Sequence, residues 1–428
     1  MLKCIKLFIY ICFVSAVGVA SADESNTKLL AESDLAFGID MYHKLVSSDK
    51  NAFFSPYSIY AALGMVYAGS RGETSNQMQK VLRQAEKQDM HQGIADMDKV
   101  LGKLQGDGSI ELAVANSIWP DSGHKFLATY LTLLKNKYGV LIEPVNYKVD
   151  VDRNEAVKKI NDWVEKKTRD KIKTPVSPDM LDSSTRMVLV NAIYFKGSWQ
   201  TKFEKTATQK MLFHKIDGTD KQTDFMNRRG TFGYADVEDA QVLEIPYKGD
   251  TTSMIIVLPH ATSNINKLES QLSTTSFNSW ISSLRTREVV VTIPKYKMDY
   301  SASLNDPLGS MGMTLAFNKE WADFSGMDGC KSGKCGDWLY LSQGIHKAFI
   351  AVDEEGTEAA AVTVFEDRMV TTSVNHGPPV FSAERPFYFL SEKRAPARYC
   401  SWGDLSRRNS AFVGSCLHCN DIVSVTAR

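Results

Sequence analysis

Serine, histidine and cysteine are the side chains from which covalent or metal chemistry would be assembled, and their spacing here assembles neither. The eight histidines include no His-Glu-x-x-His pair, and no serine sits in a Gly-x-Ser-x-Gly elbow. No Gly-x-Gly-x-x-Gly turn or Gly-x4-Gly-Lys-Ser/Thr loop offers backbone amides to a phosphate. No catalytic residue, metal or cofactor is therefore assigned. Cys416, His418 and Cys419, with Cys400 upstream, are zinc-type ligands without a second paired knuckle, so thiols or disulfides are expected there. Cys330 and Cys335 bracket a short polar loop, either closed by a local disulfide or left as a free pair. Lys80, Arg83 and Lys87 share a helical face in this reading, either a solvated face or a glycosaminoglycan site.

One segment, Val352 to Phe365, disagrees with itself. Ala359, Ala360 and Ala361 favour helix, whereas Val362, Thr363, Val364 and Phe365 favour strand. On these residues alone an ordinary helix capped by Thr357 is favoured. Extended, the same residues would set Thr357, Ala359, Ala361, Thr363 and Phe365 on one face, mostly small and uncharged, that could enter the interior of a sheet.

The surrounding elements are mixed helix and strand. Leu35, Ile39, Tyr42 and Val46 recur at helical spacing, and Asn154 to Ile172 reads as a charged helix with Val157, Ile160, Trp163 and Val164 on one side. Asn51 to Phe54 reads as a short buried strand, followed by Ser55 as N-cap and a helix from Tyr57 to Ala68 with no wet face. Ile110, Leu112, Val114 and Ile118 alternate as in a strand, and Met187 to Phe195 is apolar enough to be covered on both faces. Gln241–Tyr247 and Ser253–Leu258 flank the turn Lys248-Gly249-Asp250, and Val289 to Ile293 forms a further strand ended by Pro294. The class is α+β, without strict strand-helix alternation.

Fifty Lys plus Arg balance fifty Asp plus Glu, so no global field exists to attract nucleic acid or an anionic membrane. Residues 1–22 read as a secretory signal peptide: Lys3 and Lys6, an apolar run from Leu7 to Val19, then Ala20, Ser21 and Ala22. Its removal leaves 406 residues with a formal charge of −2 and all five remaining cysteines in the last quarter. No linker or repeat divides these residues, so one large domain over 23–428 is expected, secreted and extracellular.

At this point the chain resembles the serpin family. The resemblance rests on Asn-Ala-Phe-Phe-Ser-Pro-Tyr-Ser at 51–58, Gly-Ser-Arg-Gly-Glu-Thr at 69–74, Val-Asn-Ala-Ile-Tyr-Phe-Lys-Gly-Ser-Trp at 190–199 and Phe203. It continues through Glu-Ile-Pro-Tyr-Lys-Gly-Asp at 244–250, Ala-Asp-Phe-Ser-Gly at 322–326, His-Lys-Ala-Phe-Ile at 346–350, the run from Glu354 to Ala361, and Glu384, Arg385, Pro386 and Phe389. Such a resemblance implies three β-sheets, about nine helices and an exposed reactive-centre loop, here about 354–380. A serine protease would attack that loop and form an acyl-enzyme. The freed loop would then insert into the central sheet and trap the protease, so that the native state is metastable.

The resemblance also assigns roles. Glu354, Gly356, Thr357, Glu358, Ala359, Ala360 and Ala361 match an inhibitory hinge. Ser55, Ser58, Asn191 and His346 match a polar shutter beneath the opening strands, Trp199 matches the breach where the hinge enters, and Lys295 with Glu354 matches an ion pair there. Fourteen residues past Gly356 lies Val370, giving the bond Val370–Thr371 and elastase- or chymotrypsin-like targets. Met369 and Arg368 are the alternatives, the latter for a trypsin-like protease. A monomer is implied, with a glycosaminoglycan as a second ligand. The end departs from the pattern: an unusual stretch from Ala395 to Asn409 precedes Ala411-Phe412-Val413-Gly414, making about 391–428 divergent. The competing function is a non-inhibitory serpin acting as carrier, chaperone or storage protein, whose sign would be a bulky or charged hinge.

Overall fold

The helix without a wet face, Pro56–Gly69, lies at the centre of the molecule. Apart from Tyr67 and Ala68 all of its residues are buried, and the Ser55 side chain caps it by accepting from Ser58 N at 3.2 Å. The computed structural model describes residues 22–46, 51–85, 88–106, 110–140, 142–261, 263–331, 333–357, 377–393 and 423–427. Among them are ten α-helices and fourteen strands.

Five strands make the sheet that matters for function: β2 (Ile110–Pro120), β3 (Met187–Ser198), β9 (Tyr296–Ser303), β10 (Gln343–Asp353) and the two-residue β11 (Gly356–Thr357), in the order β2-β3-β11-β10-β9. The second hydrogen-bonded sheet contains β1 (Ala52–Phe54), β4 (Gln209–His214), β5 (Asp220–Asp236), β6 (Ala240–Pro246), β7 (Thr252–Pro259), β8 (Arg285–Pro294), β12 (Val380–Ser382), β13 (Phe387–Lys393) and β14 (Val423–Ala427). Long β5 joins its parts: it pairs β8 along Phe225 to Tyr234, β6 at one end and β4 at the other.

Strand β3 shows why its sequence is apolar throughout. Met187, Leu189, Ile193 and Phe195 enter the main core, while Val188, Val190 and Ala192 face the other way, into a cluster closed by Val157, Ile160 and Val164 of helix Asp150–Lys167. That helix starts and stops earlier than expected. Asp150 and Asp152 favour the positive end of its dipole. Thr168 then bonds back to the Val164 carbonyl at 2.8 Å, and Arg169 and Asp170 take positive φ, so it cannot reach Ile172. Strand β8 is longer than expected because β5 pairs it from Arg285 onward.

One other expectation is corrected. The basic residues Lys80 and Arg83 do not share a helical face, because helix Gly72–Val81 ends before Arg83, whose φ is 51°. Arg83 is also engaged by Asp40 at 2.6 Å, and Lys87 lies outside the described residues. The closing strand of this sheet is β14: it lies between β1 and β13, with Thr426 opposite both Ala52 and Tyr388, while Ala411 to Gly414 lie outside the described residues. Cys330 and Cys335 form a disulfide, whereas Cys400, Cys416 and Cys419 lie outside the described residues.

Candidate functional site

The site is a seam in the five-stranded sheet. Parallel strands β3 and β10 pair directly over seven rungs, from Val188 opposite Gln343 to Tyr194 opposite Phe349. Beyond that they part, and β11 fills the gap, antiparallel to both: Gly356 lies between Ser198 and Asp353, and Thr357 between Gly197 and Val352. Thr357 is fully buried in a strand, and the residues after it, on which the helical reading falls, lie outside the described residues.

Position 356 admits only glycine. Its φ of +151° is one that L side chains avoid, and an added Cβ would overlap the Gly197 carbonyl oxygen and lie 2.6 Å from Ser198 Cα. The Thr357 hydroxyl meets the Tyr247 hydroxyl at 2.9 Å. Tyr247 stacks on Trp199 with centroids 5.0 Å apart and planes at 3°, and the Trp199 indole donates to the Asp353 carbonyl at 2.9 Å. One aromatic stack thus holds both ends of the turn that makes the hinge.

The turn residues carry charge, and each carboxylate is answered. Glu354 accepts from Lys295 Nζ at 2.9 Å and from the Thr208 hydroxyl at 2.7 Å. Glu355 is bridged by Lys202 at 2.5 Å and Lys205 at 3.0 Å. Burial alone would raise both carboxyls, but the lysine and hydroxyl donors outweigh it, and both lie below the usual glutamate range. The Lys295–Glu354 pair is no surface bridge: the Glu354 side chain is 5% exposed.

Lower in the seam, three strands present one polar rung. Asn116, Asn191 and His346 are aligned across β2, β3 and β10, each in the phase that faces the main core. Asn191 Nδ2 donates to Ser58 Oγ at 2.5 Å, to the Ser58 carbonyl at 2.9 Å and to Asn116 Oδ1. Asn191 Oδ1 accepts from His346 Nδ1, which fixes the tautomer, since burial holds the ring neutral by lowering its pKa to about 3. Ser55 joins the group through the cap of the helix that bears Ser58. The rung is thus a connected network of side-chain hydrogen bonds in the middle of the sheet.

A family model described as Serpin (serine protease inhibitor) matches residues 32–405. The chain is a serpin. It is 36% identical to human Serpin B11 over 382 residues, covering 84% of this chain and 95% of that protein. Leukocyte elastase inhibitor A of Rattus norvegicus is 33% identical over 371 residues, covering 84% and 94%. The crystal structure of Serpin48 of the insect Tenebrio molitor superposes with a TM-score of 0.75 at 27% identity, covering 93% of this chain and 97% of that one. Family membership places the chain in a family of protease inhibitors rather than among the peptidases.

The structure thus assembles two groups in this serpin: Lys295, Glu354, Gly356 and Thr357 with Trp199 at the top of the seam, and Ser55, Ser58, Asn191 and His346 along it. Glu358, Ala359, Ala360 and Ala361 and the bonds at Arg368, Met369, Val370 and Thr371 lie outside the described residues. Reading the sequence missed Asn116, Tyr247, Thr208, Lys202 and Lys205. Only Asn116 had left a signal: it is the one polar residue in the phase set by Ile110, Leu112, Val114 and Ile118.

Proposed function

We propose that this serpin is a secreted suicide-substrate inhibitor of serine proteases. The supporting observation is β11: the first hinge residues already sit between β3 and β10, paired with both. Extending that register into a fully inserted strand would set Ala359 between Phe195 and Ile350, Ala361 between Ile193 and Ala348, and Thr363 between Asn191 and His346. The inward residues from Thr357 to Phe365 are all uncharged, so this part of the insertion buries no charge, which would cost several kcal/mol by order of magnitude; the first inward charge, Asp367, comes late, near the sheet's open lower end.

The reaction that starts it belongs to the protease. Its serine oxygen attacks the Val370 carbonyl carbon, the bond to Thr371 N breaks with a proton passing to that nitrogen, and an ester holds Val370 on the enzyme. Insertion of the freed strand then carries the ester away from the attacking water. The small apolar Val370 suits an elastase-like pocket, and neighbouring Met369 a chymotrypsin-like one.

Incubation with elastase-, chymotrypsin-, trypsin- and subtilisin-like proteases tests the reading. The expected result is an SDS-resistant complex with an elastase- or chymotrypsin-like enzyme and a released peptide beginning at Thr371. Clean cleavage by all of them with full protease activity retained would overturn it.

A further inference from the structure

Outside the hinge and the polar rung, the group that bears on the seam is the disulfide Cys330–Cys335. It closes a loop between the short helix Ser325–Asp328 and the start of β10. Lys331, Gly333, Lys334 and Gly336 are exposed around it, and the two cysteines are half-buried. Cys330 N donates to Asp328 Oδ1 at 2.8 Å, and Asp328 in turn is paired with His124 at 2.8 Å. Cys330 Sγ lies 2.8 Å from the Asp337 carbonyl oxygen, so the bond packs against the segment that carries Asp337. That carboxylate is where the loop meets the sheet. It takes Arg186 Nε at 2.7 Å and Lys148 Nζ at 3.4 Å. Arg186 immediately precedes β3; its amide donates to Ser342 Oγ at 2.9 Å, and Ser342 N donates to the Met187 carbonyl at 2.9 Å. Lys148 also faces Asp121, just past the end of β2, at 3.7 Å. One carboxylate thus ties the feet of β2, β3 and β10 together, directly below the rung of Val188 and Gln343.

We propose that Cys330–Cys335 is a thiol-operated latch on the foot of the seam: closed, it fixes Asp337 against Arg186 and keeps β3 and β10 joined there, and reduced, it lets them part. A crosslink over so short a loop removes less entropy from the unfolded chain than a long one does, so its effect is chiefly local. A small thiol such as glutathione opens it. The thiolate, drawn in by the exposed Lys331 and Lys334, attacks Cys335 Sγ, because the Asp337 carbonyl covers Cys330 Sγ. A mixed disulfide forms, and Cys330 leaves as a thiolate that takes a proton. A second thiolate attacks the small-molecule sulfur of the mixed disulfide, and Cys335 leaves in the same way. Two small thiols are oxidised to their disulfide, and the cysteine pair gains the two electrons and two protons. The latch is independent of the inhibitory reading above, since it requires only the loop and the sheet.

Amide hydrogen exchange of the full chain, with and without glutathione, tests the latch once a non-reducing peptide map has followed the Cys330–Cys335 link and its loss. On reduction the amides of Arg186 and Ser342 should exchange about tenfold faster. Those of Trp199 and Phe203, bonded to the Glu355 and Glu354 carbonyls at the top of the seam, should not change. Oxidised glutathione should restore the original rates. The Cys330→Ser, Cys335→Ser pair should exchange like the reduced parent and ignore thiols, which separates the latch from any effect through Cys400, Cys416 or Cys419. Asp337→Asn should loosen the same two amides with the disulfide intact, and reduction should then add little, because both changes cut one connection. A peptide map without the link, unchanged exchange at Arg186 and Ser342 after full reduction, equal acceleration at both ends of the seam, or a full further acceleration in Asp337→Asn would overturn the latch.

Discussion

Thr357 has no room for a charge. It is fully buried, flanked on both sides by backbone, with its hydroxyl on Tyr247. Thr357→Arg would have to bring a guanidinium into a seam whose nearest polar partner is that single phenol, at a cost of several kcal/mol. The first step of strand insertion therefore becomes unfavourable while the reactive loop remains available for cleavage. The variant should fold, be cut by the target protease, and release it active, turning inhibitor into substrate. The ratio of SDS-resistant complex to cleaved chain on a gel measures this, and an unchanged ratio would argue against insertion as the trapping step. Thr357→Ser keeps the hydroxyl and the volume close, so it should behave as the parent.

At the level of elements, the hinge turn between β10 and β11 is held by two carboxylates below their ordinary range. A depressed folded pKa means that these ties are complete above the unfolded glutamate pKa of about 4.3 and are lost as the pH falls through the lower folded values. Acidification should thus release the turn from Lys295, Lys202 and Lys205, seen as a reversible change in Trp199 fluorescence. The Glu354→Gln, Glu355→Gln pair should show the released spectrum at neutral pH, and an acid transition identical to the parent's would refute the assignment. Glu354, Gly356 and Thr357 were legible as hinge residues through the family resemblance, whereas local propensity alone favoured a helix there. The hairpin of β6 and β7 was equally plain from its turn, as was the buried helix after Ser55. What could not be read was long-range. Tyr247 reaches Thr357 across 110 residues of chain, and β14 finds β1 across most of it. Such pairings are fixed by tertiary packing, to which local periodicity is blind.

For the whole molecule, the seam poses a question of thermodynamic balance. Among the described residues β3 and β10 share seven direct rungs and hold two hinge residues between them. Full insertion would give up those rungs and replace them with two antiparallel ladders along a strand of about ten residues, a net gain on the order of ten backbone hydrogen bonds. At about 0.5–1.5 kcal/mol each, the cleaved form should be more stable by roughly 10 kcal/mol, before any apolar burial by Phe365 is counted. For a chain of this size that corresponds to a rise in Tm of roughly 10–20 °C. On the proposed mechanism the intact protein would be kept from this state by its uncut loop and by the polar rung of Asn116, Asn191 and His346, whose bonds would have to open before the strands part. Nicking the loop with a non-target protease and comparing the melting curves of the two forms measures the difference. Equal melting temperatures would mean that the seam does not open on cleavage, and that the protein belongs with the non-inhibitory members of its family.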